Sequence, residues 1–127
     1  MNSAMEIQIL DSFGRVPPDK HDCGALYDLV APAVDAARPA GEWNRMVVDC
    51  WGPIVRVTLN GTVIVHANLS QWTTAGQNPD GSRNKFARAY ATMRQQGRIG
   101  FQDHGGRVWY RNIRLRPLPP YRPPVGG

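Results

Sequence analysis

The chain has 127 residues, 42% hydrophobic and 20% charged, with 13 glycines and 11 prolines. That length suits one domain and leaves no room for two ordinary ones. The composition is too apolar and too weakly charged for a disordered chain, and no apolar run approaches the ~20 residues that cross a bilayer. The net charge of +5 is unevenly spread: residues 1–82 hold five basic and nine acidic side chains (−4), whereas residues 83–127 hold ten basic ones and a single acid, Asp103 (+9). An arginine-rich half opens a nucleic-acid reading. Because these arginines alternate with apolar residues, they read as solvated strand faces, and neither a nucleic-acid nor a membrane partner is expected. The first residues show no basic segment leading into an apolar stretch, so no signal peptide is visible in this chain and its compartment stays open.

Residues 5–11 (MEIQILD) alternate strictly, with Ile7 and Ile9 on one face and Glu6 and Gln8 on the other, which predicts a strand. Residues 13–20 are a loop closed by Pro17-Pro18, 24–30 (GALYDLV) a short apolar run, and 33–40 a connector. A strand is predicted over 43–50. After the Gly52-Pro53 turn comes another over 54–59, with Val55, Val57 and Leu59 inward. Asn60-Gly61 is a strong hairpin signal, because both residues tolerate positive φ, and 62–66 is the returning strand. Residues 73–84 form a polar loop in which Asp80 of NPDG reads as a turn residue rather than a calcium ligand. Good helix formers over 85–96 predict a short helix stopped by Gly97. Residues 98–102 and 108–115 read as two strands around a turn, and 117–127 as a disordered, Pro-rich tail of polyproline character. Short strands, many turns and little helix point to an all-β antiparallel sandwich or barrel. Cys23 and Cys50 form no CxxC; a disulfide needs them adjacent in space, and buried free thiols are the commoner state.

Taken together, EIQILD, CGALYDLVAP, GEWNRMVV, VRVTLNGTVI, ANLSQW, NPDGSRNKF and GRIGFQDHGGRVWYRNIRL, in that order, resemble the bacterial 3-keto-disaccharide (3-keto-glycoside) hydrolase family. The resemblance covers residues 2–116. It implies a concanavalin A-like jelly-roll sandwich with a carbohydrate site on the concave face of a sheet, and a periplasmic or secreted setting. Family members are considerably longer, with several strands before the segment matching NSAMEIQILD. The expectation is therefore that residues 1–116 form the C-terminal part of the family domain. Such a piece leaves open sheet edges, which template pairing with another chain, and a homo-oligomer is expected.

The chemistry that the resemblance implies starts from a sugar whose C3 is a ketone. The C2 proton is then acidic, a base can remove it, the C1 substituent leaves, and water adds back. Direct glycoside hydrolysis would instead call for two carboxylates across the bond, and the chain has only two glutamates. Glu6, on the polar side of its strand, and His104, in QDHG at a strand end, are the acid–base candidates; a salt bridge and a backbone-bonded turn are their structural alternatives. Gln8 and Gln102 could hold sugar hydroxyls, as could Trp43 and Arg45 on one strand face. Tyr27 and Lys85 match family motif positions, which implies that they line the site. His21, beside Asp22, reads as a loop histidine, with a third titrating group or a metal ligand as alternatives, and His66 as an exposed strand-end residue. The three histidines lack zinc-motif spacing, so no metal site is assigned, although calcium or another divalent metal fits this kind of sandwich. A non-catalytic carbohydrate-binding module is the alternative to an enzyme.

Overall fold

The protein is described by a computed structural model covering residues 4–94 and 96–125. Its centre is a three-stranded antiparallel meander: β1 (Met46–Trp51), β2 (Ile54–Leu59) and β3 (Thr62–Asn68), in the spatial order β1-β2-β3. The alternation of β2 is obeyed to the residue, since Val55, Val57 and Leu59 are all buried. Asn60 (φ 50°) and Gly61 (φ 85°) make the hairpin turn, both in the left-handed region that two-residue connections require. Asn60 also ties the turn down, its side-chain oxygen accepting from the Arg45 amide at 2.8 Å.

A register shift between Val57 and Thr58 puts a bulge in β3, so that Ile64 and Val65 are both buried although they are consecutive. These residues, with Val57, Leu59 and Ala67, form the sheet side of the core. Leu26, Leu29, Trp72, Phe86 and Tyr90 cover them. Burial pushes the Tyr90 hydroxyl up to about 12, with the Cys50 side chain adding to the shift. The cover thins towards β1, where Val47, Val48 and Trp51 stay about 40% exposed (39%, 40% and 41%). On the sheet's outer face Asp49 and Arg56 pair across β1 and β2 at 3.0 Å.

Several sequence expectations are corrected. Residues 5–11 are not a full strand; they form one antiparallel bridge, Ile7 to Leu26, and Ile9 is 44% exposed instead of inward. Residues 85–96 form no α-helix. Among the described residues of this segment the one regular element is the 3-10 turn Tyr90–Thr92, and the Ala91 amide, which a helix would turn to the residue four before it, donates instead to the Trp72 carbonyl. Residues 98–102 and 108–115 join no ladder among the described residues; Phe101 and Tyr110 meet with ring centroids 4.4 Å apart at a tilt of 44°, and Asn112 is left-handed at φ 54°. A ladder forms only where a partner strand supplies hydrogen bonds. Cys50 is exposed and Cys23 half-buried, and both are free thiols. The tail over 117–125 touches the sheet: the Trp51 indole donates to the Pro119 carbonyl at 2.7 Å, and the Tyr121 ring lies over Gly52. No helix of the described residues is long and apolar enough to cross a membrane.

Gly24 locks the N-terminal segment onto the sheet. It sits at φ +84°, and a Cβ built there would lie 2.3 Å from Ile64 Cδ1 in the bulge. Both backbone strain and overpacking oppose any side chain at this position. Gly24→Ala is expected to destabilise the chain by about 2–4 kcal/mol, measured as a lower urea midpoint at unchanged slope.

Candidate active site

The bridge that replaces the first predicted strand is the floor of a polar cluster. Tyr27 donates its amide to the Glu6 carbonyl (2.9 Å), Gly24 to Gln8 (2.8 Å) and Gln8 to Ala25 (3.0 Å). With Ile7 and Leu26 turned to the core, the period-2 rule sends Glu6, Gln8 and Tyr27 to the opposite side. Glu6 is 22% exposed there, and the Lys85 Nζ lies 4.0 Å from its Oε2. The same Nζ stands 4.6 Å from the centroid of the Tyr27 ring, within cation–π range. Gln102 comes in from the segment 98–102. With its amide oriented to satisfy its neighbours, its nitrogen donates to both Glu6 oxygens (2.8 and 3.1 Å), and its oxygen accepts from His104 Nε2 (2.6 Å). Glu6 and His104, separated by 98 positions in the chain, are thus joined through one side chain.

On the other side of Tyr27 sits His21, with ring centroids 4.9 Å apart. Its Nε2 is 3.0 Å from Asp28 Oδ1, and the same oxygen is 3.0 Å from Lys20 Nζ. Asp28 Oδ2 accepts the Lys85 amide at 2.6 Å. Burial on its own would raise the Asp28 carboxyl, but these donors from Lys20, His21 and Lys85 outweigh it and hold the group below the usual value of 3.8. The Asp28 carbonyl accepts from Asn78 (3.2 Å), a buried residue of the NPDG loop whose own oxygen takes the indole N–H of Trp72 (2.9 Å) and the amide of Asn84 (2.9 Å). The core and the polar cluster are therefore one hydrogen-bonded body. Asp80 caps its turn by accepting from the Ser82 amide and hydroxyl. Among the described residues, no three His, Cys, Asp or Glu side chains gather as a metal site.

Comparison with known proteins gives the family of the chain. Residues 1–116 match the model of the 3-keto-alpha-glucoside-1,2-lyase-like domain. The chain belongs to this family. A curated relative from Bacteroides thetaiotaomicron, named a 3-keto-disaccharide hydrolase, is 32% identical over 131 residues, covering 91% of this chain and 44% of the relative. A solved structure from Parabacteroides distasonis, described as that of a candidate glycosyl hydrolase, matches with a TM-score of 0.64 at 32% identity. It covers 70% of this chain and 48% of the other. The chain thus spans a little under half the length of the relatives it matches.

Of the residues singled out in the sequence, the structure gathers Glu6, Gln102, His104, Lys85 and Tyr27, with Gln8 one step along the same face and its side chain on the His21 carbonyl (3.1 Å). Trp43 and Arg45 are held elsewhere: Arg45 is tied to the Asn60-Gly61 turn, and the Trp43 ring lies under the Arg111 guanidinium at 4.0 Å. His66 is exposed on β3. Sequence reasoning missed Lys20 and Asp28 and read His21 as a plain loop histidine. The available signal was the density of ionisable residues flanking the apolar run, in DKHDCGALYD.

The depressed Asp28 carboxyl fixes the sign of an acid response. A group that ionises more readily in the native state stabilises it above the unfolded value of 3.8, and this contribution disappears as pH falls through the lower native value. The stability advantage of the wild type over Asp28→Asn, measured by urea titration, is expected to be full at neutral pH and to close only below pH 3.8.

Proposed function

We propose that this chain carries the acid–base site of a lyase-type cleavage of 3-keto-glycosides, on a jelly-roll sandwich of the concanavalin A-like kind. The observation that supports this reading is the Gln102 bridge between Glu6 and His104, with Lys85 beside it. Glu6 takes the C2 proton, which the C3 ketone has acidified. The electron pair moves to the C3 oxygen, and the enolate so formed is met by the Lys85 ammonium. As the C3 carbonyl re-forms, the pair becomes a C1–C2 double bond and the C1–O bond breaks, the departing oxygen taking a proton from His104. Addition of water across that double bond completes the hydrolysis. Gln8, Gln102 and Tyr27 are suited to hold sugar hydroxyls. Elimination is favoured over direct displacement because Glu6 has no second free carboxylate across from it in the cluster, Asp28 being taken up by Lys20, His21 and the Lys85 amide.

Glu6→Gln is expected to lower turnover of a 3-keto-glycoside by about 10²–10⁴-fold while the melting temperature moves by no more than a few degrees. Full turnover in the variant would remove Glu6 from the scheme. A wild-type chain that binds the sugar without cleaving it would instead identify a carbohydrate-binding module.

We also infer that the chain's protein partner is a second copy of itself. Ile99 (74% exposed), Trp109 (68%), Ile113 (64%) and Leu115 (78%) stand out on segments that form no ladder among the described residues, which is the pattern of an association surface. The segments lie in the half of the chain with a charge of +9, and the other half carries −4, so head-to-tail contact between copies is electrostatically favourable. Light scattering at micromolar concentration is expected to give a mass of at least twice 14.1 kDa, and a stable monomer would refute the inference.

A further inference from the structure

Asp28 hydrogen-bonds to both wings of the cluster, Lys20 and His21 on one side and the Lys85 backbone on the other. It sits at φ 65°, its amide donates to the Lys20 carbonyl (3.0 Å), and its side chain is 12% exposed. One carboxylate oxygen receives Lys20 Nζ and His21 Nε2, each at 3.0 Å; the other receives the Lys85 amide at 2.6 Å. Lys20 is itself anchored, since its Nζ also donates to the Arg83 carbonyl two residues before Lys85. His21 is held a second time by Asp19, whose Oδ1 lies 3.5 Å from its Nδ1. The Lys85 side chain then spans from this anchored backbone to the Tyr27 ring and Glu6, and among the described residues its Nζ comes no nearer to an acceptor than the 4.0 Å approach to Glu6. A lysine has four rotatable bonds, so a fixed backbone and a cation–π contact are what hold its head group in place.

We propose that Asp28 is a positioning residue of the site: by holding the Lys85 amide on one oxygen and Lys20 and His21 on the other, it keeps the Lys85 head group over Tyr27 and beside Glu6. It touches no reacting atom in the scheme above. Its catalytic consequence rests on the proposed function, whereas the placement of Lys85 does not. A misplacement of about 1 Å at a charge that meets an enolate costs on the order of 10²-fold in rate, and it costs little in ground-state binding because the enolate exists only along the reaction path.

The chain has just two lysines, Lys20 and Lys85, which makes the placement directly observable. Reductive methylation with ¹³C-formaldehyde gives one dimethyl-lysine signal for each, plus that of the terminal amine. The Lys85 signal, assigned as the one that moves in Tyr27→Leu, is expected upfield of Lys20 because it lies in the shielding cone of the Tyr27 ring. Asp28→Asn keeps an acceptor for the Lys85 amide and tolerates the left-handed backbone, but it loses the charge; Asp28→Gly suits that backbone and loses the acceptor as well. The upfield shift is expected to shrink in the first variant and vanish in the second. With a 3-keto-glycoside, Asp28→Asn is expected to lower kcat by about 10²-fold with KM within about threefold. A Lys85 signal unmoved in whichever of the two variants is folded would overturn the proposal, and so would a rise in KM at unchanged kcat. If the wild type turns over no 3-keto-glycoside, the proposed function fails, and the methyl-lysine spectra alone still decide the role of Asp28.

Discussion

A buried carboxylate can persist only if donors replace the water it has lost, and at Asp28 that requirement ties several distant segments together. Its partners come from the loop before it (Lys20, His21) and from the segment after the NPDG turn (Lys85), and its own carbonyl is capped by Asn78. Remove that carboxylate, and the Lys20 ammonium, the His21 ring and the Lys85 amide all lose a partner at once. Buried polar groups left without partners cost more than the bonds themselves contribute, which is why such a network behaves as a unit. No side-chain nitrogen or oxygen buried among the described residues lacks a partner. That completeness is what allows ionisable residues to stand so close to a core of Leu26, Leu29 and Trp72.

The readable parts of the fold were those whose cause is local. The Asn60-Gly61 turn and the alternation of 54–59 depend on φ and on side-chain period, both properties of a few adjacent residues, and both appear where the sequence placed them. The period-2 pattern of MEIQILD likewise put Glu6 and Gln8 on the polar side, although only one bridge of the supposed strand forms. Propensity failed over the described residues of 85–96, where the Ala91 amide goes to the distant Trp72 carbonyl instead of to the preceding turn of a helix. The importance of Asp28 was likewise hidden. A left-handed aspartate leaves no periodic trace, and its partners lie up to 57 residues away. Glu6 and His104 were readable as separate candidates, one from a polar strand face and the other from its place before the Gly105-Gly106 turn. Only the folded chain shows the intervening Gln102 that joins them.

The tail illustrates a different balance. Between Arg111, stacked on Trp43, and Pro119, bonded to Trp51, seven residues run without a bond to the sheet among the contacts described. Closing a flexible span of that length costs about 2 kcal/mol in chain entropy. Against it stand one hydrogen bond, about 1 kcal/mol net, and one edge-to-face aromatic pair between Trp51 and Tyr121, about 1 kcal/mol. The two sides nearly cancel, so the strap over Gly52 lies at the low end of the local-opening ladder, detaching and redocking while β1 to β3 stay folded. Backbone amides under the strap should then exchange with solvent at rates set by that local equilibrium, decoupled from the global unfolding that governs exchange in the centre of β2.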